Sequence, residues 1–241
     1  MKKAKTGDVI EFFCVEEDWD VIAKPVPATK HLPTWFKSLP PKLGENAFGD
    51  STIKRCMPFL DAMTAGWLIP LGADVHITTS EDGSFAPWRS TFGSETKPMI
   101  EYHALRQVSG AKVPHPMAPR QPMKFMNYWF IKVPKEYSLL FISPLEREDK
   151  RFRCLPGLVD SPYAEREYVN FPFLMLKDNF NGVIEKGTPL VQVIPVRKDS
   201  FLPQGVFRKQ TVKEAKSTAL LRRQRTAHES HYRDYVRREV K

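Results

Sequence analysis

Residues 126–143 read MNYWFIKVPKEYSLLFIS. Met126 to Val133 and Ser138 to Ser143 are runs of aromatic, β-branched and other apolar side chains, and Pro134-Lys135-Glu136 between them is turn chemistry. The pattern predicts a β-hairpin. Working outward, Asp8 to Val15 and Trp19 to Ala23 read as two strands separated by an acidic turn. Ala73 to Thr79, Met99 to Val108, Tyr168 to Leu176 and Thr188 to Val196 read as further strands. Ala111 to Pro122 carries four prolines and predicts an ordered loop. Pro33-Thr34-Trp35-Phe36-Lys37 predicts one helical turn in a proline-framed plug, with both rings packed on the sheet. The expected fold is mainly β, a distorted β barrel or sandwich, followed by a C-terminal α-helix.

Composition supports that expectation. Twenty-one prolines scattered from Pro25 to Pro203 interrupt helices repeatedly, whereas none falls after Pro203. Sixteen Phe, five Trp and seven Tyr supply large buried surfaces for a 241-residue chain. Cys14, Cys56 and Cys154 are an odd number without CxxC spacing, so neither a disulfide framework nor a zinc knuckle is expected, and a reducing cytoplasm fits. Acidic residues from Asp8 onward interrupt any signal-peptide core. The least charged stretch, Cys56 to Ala73, contains Asp61, two prolines and two glycines, which argues against a membrane span.

The net charge of +9 is unevenly placed: from Arg208 onward there are eleven Lys/Arg and four Asp/Glu, an excess of +7. We therefore divide the chain into a β-rich domain, 1–206, and a basic C-terminal helix, 207–241. Thr211-Val212-Lys213-Glu214 has capping-box spacing and sets the expected helix start. Run to Glu239, the helix would span roughly 40 Å. Val212, Ala215, Ala219, Tyr232, Tyr235 and Val236 form only an intermittent apolar stripe. Arg222, Arg223, Arg225, Arg233, Arg237 and Arg238 are the candidate contacts to a protein partner, an oligomer neighbour or nucleic acid phosphates. No recognition-helix or zinc-finger pattern accompanies them. His228 and His231, three apart, could share a helix face but have no third ligand nearby, and His76, His103 and His115 lack metal-ligand spacing, so no metal site is expected.

Between Arg151 and Arg197 lies RFRCLPGLVDSPYAEREYVNFPFLMLKDNFNGVIEKGTPLVQVIPVR. Its segment from Pro156 to Tyr163, with Asp160, resembles the G-[VI]-[IL]-D-x-x-[YF] motif of the dUTPase and dCTP deaminase superfamily. Val183 to Gln192 is similar to that family's I-x-x-G-x-x-[IL]-[AV]-Q strand, and Thr64-Ala65-Gly66-Trp67 to its opening S-A-G-[YF] motif. The resemblance implies a β-clip body, often trimeric, in which Asp160 contacts a deoxyribose and activates water while Tyr163 stacks beneath the sugar. Magnesium would accompany a nucleotide hydrolase. The chain departs from the family at Ser143-Pro144-Leu145-Glu146-Arg147, where Leu and Glu replace phosphate-binding positions, and at Leu68, where an Asp is the rule. KPVPATKHLPTWFKSLP (24–40) and KRCMPFLDAMTAGWLIPL (54–71) resemble an uncharacterised family of tailed bacteriophages and some bacteria. A host cytoplasm or a virion is the location this implies.

These features predict a non-catalytic binding or assembly protein, with a β-clip-like body and a helix contacting an acidic partner or a neighbouring copy. A dUTP or dCTP hydrolase or deaminase, and nonspecific nucleic-acid binding through the tail, are the alternatives. No cofactor is expected outside the hydrolase alternative.

Overall fold

In a computed structural model, which describes residues 9–44, 51–92, 97–110, 112, 115–147, 149–201 and 204–227, short apolar runs become strands. In chain order these are β1 (Glu11–Phe13), β2 (Val26–Pro27), β3 (Trp67–Pro70), β4 (Val75–Thr78), β5 (Trp88–Ser90), β6 (Ile100–Tyr102) and β7 (Met123–Phe125). They continue with β8 (Phe130–Lys132), β9 (Tyr137–Ile142), β10 (Phe152–Cys154), β11 (Gly157–Asp160), β12 (Phe171–Met175), β13 (Asn181–Ile184) and β14 (Pro189–Arg197). The helices are α1 (Thr34–Ser38), α2 (Met57–Thr64), α3 (Arg106–Ser109), α4 (Ser161–Ala164) and α5 (Val212–Ala227). Contacts divide the chain into two compact units: Met1–His31 with Thr64–Ser200, and Leu32–Met63 with Phe201–Lys241.

The first unit holds every strand. A five-stranded sheet runs β11-β9-β14-β3-β2, a four-stranded sheet β10-β12-β7-β6, a three-stranded sheet β13-β4-β5, and β1 pairs with β8. All pairings are antiparallel. Both large sheets end in open edges, so among the described residues the architecture is a distorted sandwich and not a closed barrel. Phe141 and Phe171, one from each large sheet, meet with ring centroids 5.6 Å apart. Phe125 stacks on Phe173 at 3.7 Å, with Phe152 edge-on to Phe125 at 5.2 Å. Burying each such ring stabilises the fold by about 1.5–3 kcal/mol, and ring pairing adds about 0.5–1.5 kcal/mol.

Several expected elements were corrected by long-range partners. The runs 126–133 and 138–143 do contain strands, and Tyr137 N–H donates to Pro134 C=O (3.0 Å) across the expected turn. They form no hairpin, because β8 pairs with β1 while β9 lies between β11 and β14. Ile131 and Leu139 are thereby both fully buried, but in different sheets. Trp19 to Ala23 is not a strand: the Val21 and Ile22 amides both donate to the Asp18 carbonyl (3.0 Å each), which turns the chain. That turn lets the buried Asp18 carboxylate meet the Lys97 ammonium at 2.5 Å, an arrangement an extended chain would forgo. The strand from Met99 stops at Tyr102. His103 N–H donates to Pro122 C=O, but Pro122 has no amide to return, and α3 follows.

The second unit contains α1 where one helical turn was expected. Its anchors pack on α2: Phe36 is buried, and Trp35 and Phe36 lie 6.2 and 6.0 Å from Phe59, ring to ring. The Lys54 ammonium donates to the carbonyls of Lys37 (2.8 Å) and Leu39 (2.9 Å), placing a cation at the negative end of α1. At α5 the capping box forms as read. Thr211 N–H donates to Glu214 Oε2 (2.8 Å), and Glu214 N–H donates to Thr211 Oγ1 (3.3 Å). The helix is described to Ala227; the expected continuation to Glu239, with His228 and His231, lies outside the described residues.

Candidate functional site

Asp160 closes β11, and strand register decides its neighbours. It stands opposite Ser138 of β9, which stands opposite Val196 of β14. Lys198 follows that strand. The carboxylate accepts from Ser138 Oγ at 2.8 Å and lies 3.4 Å from the Lys198 ammonium. The Ser138 bond, and then Lys198, hold its pKa below the ordinary aspartate value. Asp160 is therefore a weak base. Its side chain is 69% exposed at the edge of the five-stranded sheet.

Asp160 is also the N-cap residue of α4, yet its carboxylate makes no capping bond. The helical turn it opens begins Ser161-Pro162, with proline at a position where its missing amide costs nothing. Tyr163, 55% exposed on that turn, accepts the Arg166 and Glu167 amides at its carbonyl (2.9 Å each). The two residues that the resemblance assigns to a sugar are thus three positions apart on an open surface. Gly157 and Asp160 are the first and last residues of β11.

The Ser143–Arg147 segment is held by bonds of the fold itself. Glu146 sits in the left-handed region (φ 58°), turning the chain after Leu145. Arg147 then donates from Nε to His31 C=O (2.7 Å) and from its terminal nitrogens to Ala28 C=O (3.0 Å) and Leu145 C=O (3.3 Å). Burial pulls its pKa below the usual guanidinium value. This arginine ties two loops together, and its geometry does not offer it to a polyphosphate.

Gln192, the glutamine of the resembling strand, is fully buried. Its Oε1 accepts from Leu145 N–H (3.1 Å) and its Nε2 donates to Ala65 C=O (2.6 Å). It joins the Ser143–Arg147 turn to the residues just before β3. Gly66, from the third resembling segment, has φ +67°, and a Cβ there would lie 2.0 Å from Val193 C=O. Gly187 (φ +88°) occupies the turn in which Thr188 N–H donates to Glu185 C=O (3.1 Å). This turn is not a hairpin, since β13 pairs with β4 and β14 with β3 and β9. Each of these resembling residues has a demonstrable job in chain geometry.

On α5, Lys213, Lys216, Arg222 and Arg223 are exposed, as are Val212, Leu220 and Leu221. Arg225 lies on the same helix; Arg233, Arg237 and Arg238 fall outside the described residues. Arg208 reaches Glu214 with two bonds of 2.8 and 2.6 Å, bracing the helix start.

No group of three or more His, Cys, Asp or Glu among the described residues is arranged to hold a metal. Cys14, Cys56 and Cys154 are free, and burial pushes the Cys154 thiol far up in pKa, which makes it inert. Among the described residues no helix is long and apolar enough to cross a membrane. Sequence reading found Asp160 and Gln192 but missed Ser138 and Lys198, because their approach follows from cross-strand register and from no local motif. Compared with protein-family models and with curated proteins, the chain matches none.

Proposed function

We propose that this chain is a non-catalytic binding or assembly protein: its β body is a scaffold, and α5 contacts an acidic surface on a partner or on a neighbouring copy. The observation that carries the reading is α5 itself. A helix exposing Lys213, Lys216, Arg222 and Arg223 together with Leu220 and Leu221 combines long-range attraction for an anionic surface with apolar area to bury on contact. The body supports it from the other side. Arg147 and Gln192, which lie in or beside the resembling segments, are engaged with backbone groups, and Asp160 stands in the open with a depressed pKa.

The reading is tested on the full chain with a fluorescein-labelled 20-residue polyglutamate peptide. Fluorescence anisotropy is expected to show binding that weakens at least tenfold in Lys216→Glu/Arg222→Glu/Arg223→Glu, with the melting temperature unchanged. Equal binding by the variant refutes it. Tighter binding to a 20-base-pair DNA duplex than to polyglutamate, with the steep salt dependence of counterion release, would favour the nucleic-acid reading instead.

A further inference from the structure

A cavity of about 180 Å³ opens at one end of the sandwich, lined by strand ends of both large sheets. Its floor is apolar: Phe152 and Leu190 are almost fully buried, and Leu176 and Pro189 complete the wall. This volume is the size class that accepts a single six-membered ring, well below the range of drug-sized pockets.

The charge at its mouth is mixed, with the cations in excess. Asp149 lines the cavity, but its carboxylate is held by Arg151 through bonds of 2.8, 3.0 and 3.2 Å. The same guanidinium takes Glu185 at 2.8 Å, so both nearby carboxylates are engaged by one arginine and the network keeps a single negative charge. That network raises the Arg151 pKa and fixes the loop before β10. Lys150 and Arg153 also line the cavity, and both are exposed. Neither side chain makes a hydrogen bond or ion pair among the described residues. Two unpaired cations therefore flank an apolar recess.

We propose that this cavity is a binding site for a compact organic carboxylate, its apolar body seated on Phe152 and Leu190 and its carboxylate paired with Lys150 and Arg153. Arginine favours a planar carboxylate because its fork of donors can bind both oxygens. An apolar body is required as well, because two solvent-exposed cations alone hold a small anion weakly. The site is separate from Asp160 and from α5, and the proposal stands or falls independently of their roles.

The experiment is an NMR titration of the ¹⁵N-labelled full chain with sodium benzoate, benzyl alcohol and inorganic phosphate at constant ionic strength. Benzoate is expected to shift the amides of Phe152, Cys154 and Leu190 saturably. Lys150→Ala/Arg153→Ala, which alters only exposed side chains, is expected to weaken benzoate at least tenfold with an unchanged amide spectrum elsewhere. Benzyl alcohol and phosphate, each lacking one half of the recognition, are expected to bind at least tenfold more weakly than benzoate. The proposal is overturned if benzoate gives no saturable shift, if the double variant binds it equally, or if either control ligand matches it.

Discussion

Alanine at position 66 is expected to cost far more than at any other glycine discussed here. Gly66 has φ +67°, a conformation that costs an L-residue about 1–2 kcal/mol. The added Cβ would also lie 2.0 Å from the Val193 carbonyl oxygen, 3.0 Å from its carbon and 3.2 Å from Ile194 Cα, all backbone atoms. Carbon and oxygen rarely approach within 3 Å, so β14 must retreat by about 1 Å. That retreat pulls on the β3–β14 ladder where Val193 faces Trp67 and Gln192 faces Leu68. Losing one or two of those bonds adds about 0.5–1.5 kcal/mol each, for a total of roughly 1.5–5 kcal/mol. Against a typical domain stability of about 5–15 kcal/mol, this lowers the melting temperature by roughly 3–20 °C.

Two companion substitutions separate the causes. Gly187→Ala meets nothing within 4 Å but has φ +88°, so strain alone should cost about 1–2 kcal/mol. Gly157→Ala meets neither clash nor positive φ and should stay within about 0.5 kcal/mol of the parent. Urea unfolding of the three variants reads all of this. A Gly66→Ala protein within about 1 kcal/mol of the parent, or one more stable than Gly187→Ala, refutes the close approach.

Gln192→Met keeps the side-chain volume but removes both bonds, leaving Leu145 N–H and Ala65 C=O without their partner; urea unfolding should show a loss of about 2–4 kcal/mol, and a loss below about 0.5 kcal/mol refutes the bridge. Glu214 is held at about 2, first by the Arg208 guanidinium and then by the Thr211 amide. Because its folded pKa is depressed, its contribution to α5 is present at neutral pH and is lost as pH falls from the ordinary glutamate value of 4.5 towards 2. Carboxyl ¹³C shifts should show Glu214 titrating near 2; a midpoint at the ordinary glutamate value contradicts the cap.

Local chemistry made parts of this molecule legible in advance. The Thr211–Glu214 cap and the helical turn after Pro33 each depend on residues within a few positions, and each formed as read. What failed was non-local. Nothing in MNYWFIKVPKEYSLLFIS states that β8 will leave its sequence neighbour for β1, or that β9 will be flanked by strands 20 and 50 residues away. Trp19 to Ala23 has strand-like side chains, but a buried ion pair with Lys97, far along the chain, bends it into a turn. The candidate site shows the same division. Asp160, Gly187 and Gln192 stood out as a familiar spacing, whereas the bonds that explain Gly66, Arg147 and Gln192 run between distant turns and strands.

A short motif can therefore persist because a fold needs its geometry. Gly66 permits β14 to approach, Gln192 satisfies two buried backbone groups, and Arg147 fastens Ala28 and His31. Fold and chemistry can share such residues, and likeness in one does not carry the other.

We propose that Gly66, Arg147 and Gln192 serve the scaffold and no nucleotide. The melting temperature of the full chain with 1 mM dUTP or dCTP and magnesium, read beside a product assay, tests this. A ligand present at about 100 times its Kd stabilises by about 2.7 kcal/mol, enough to raise the melting temperature by several degrees. The account predicts no rise and no product with either nucleotide. A rise of several degrees with turnover that Asp160→Asn abolishes would contradict it.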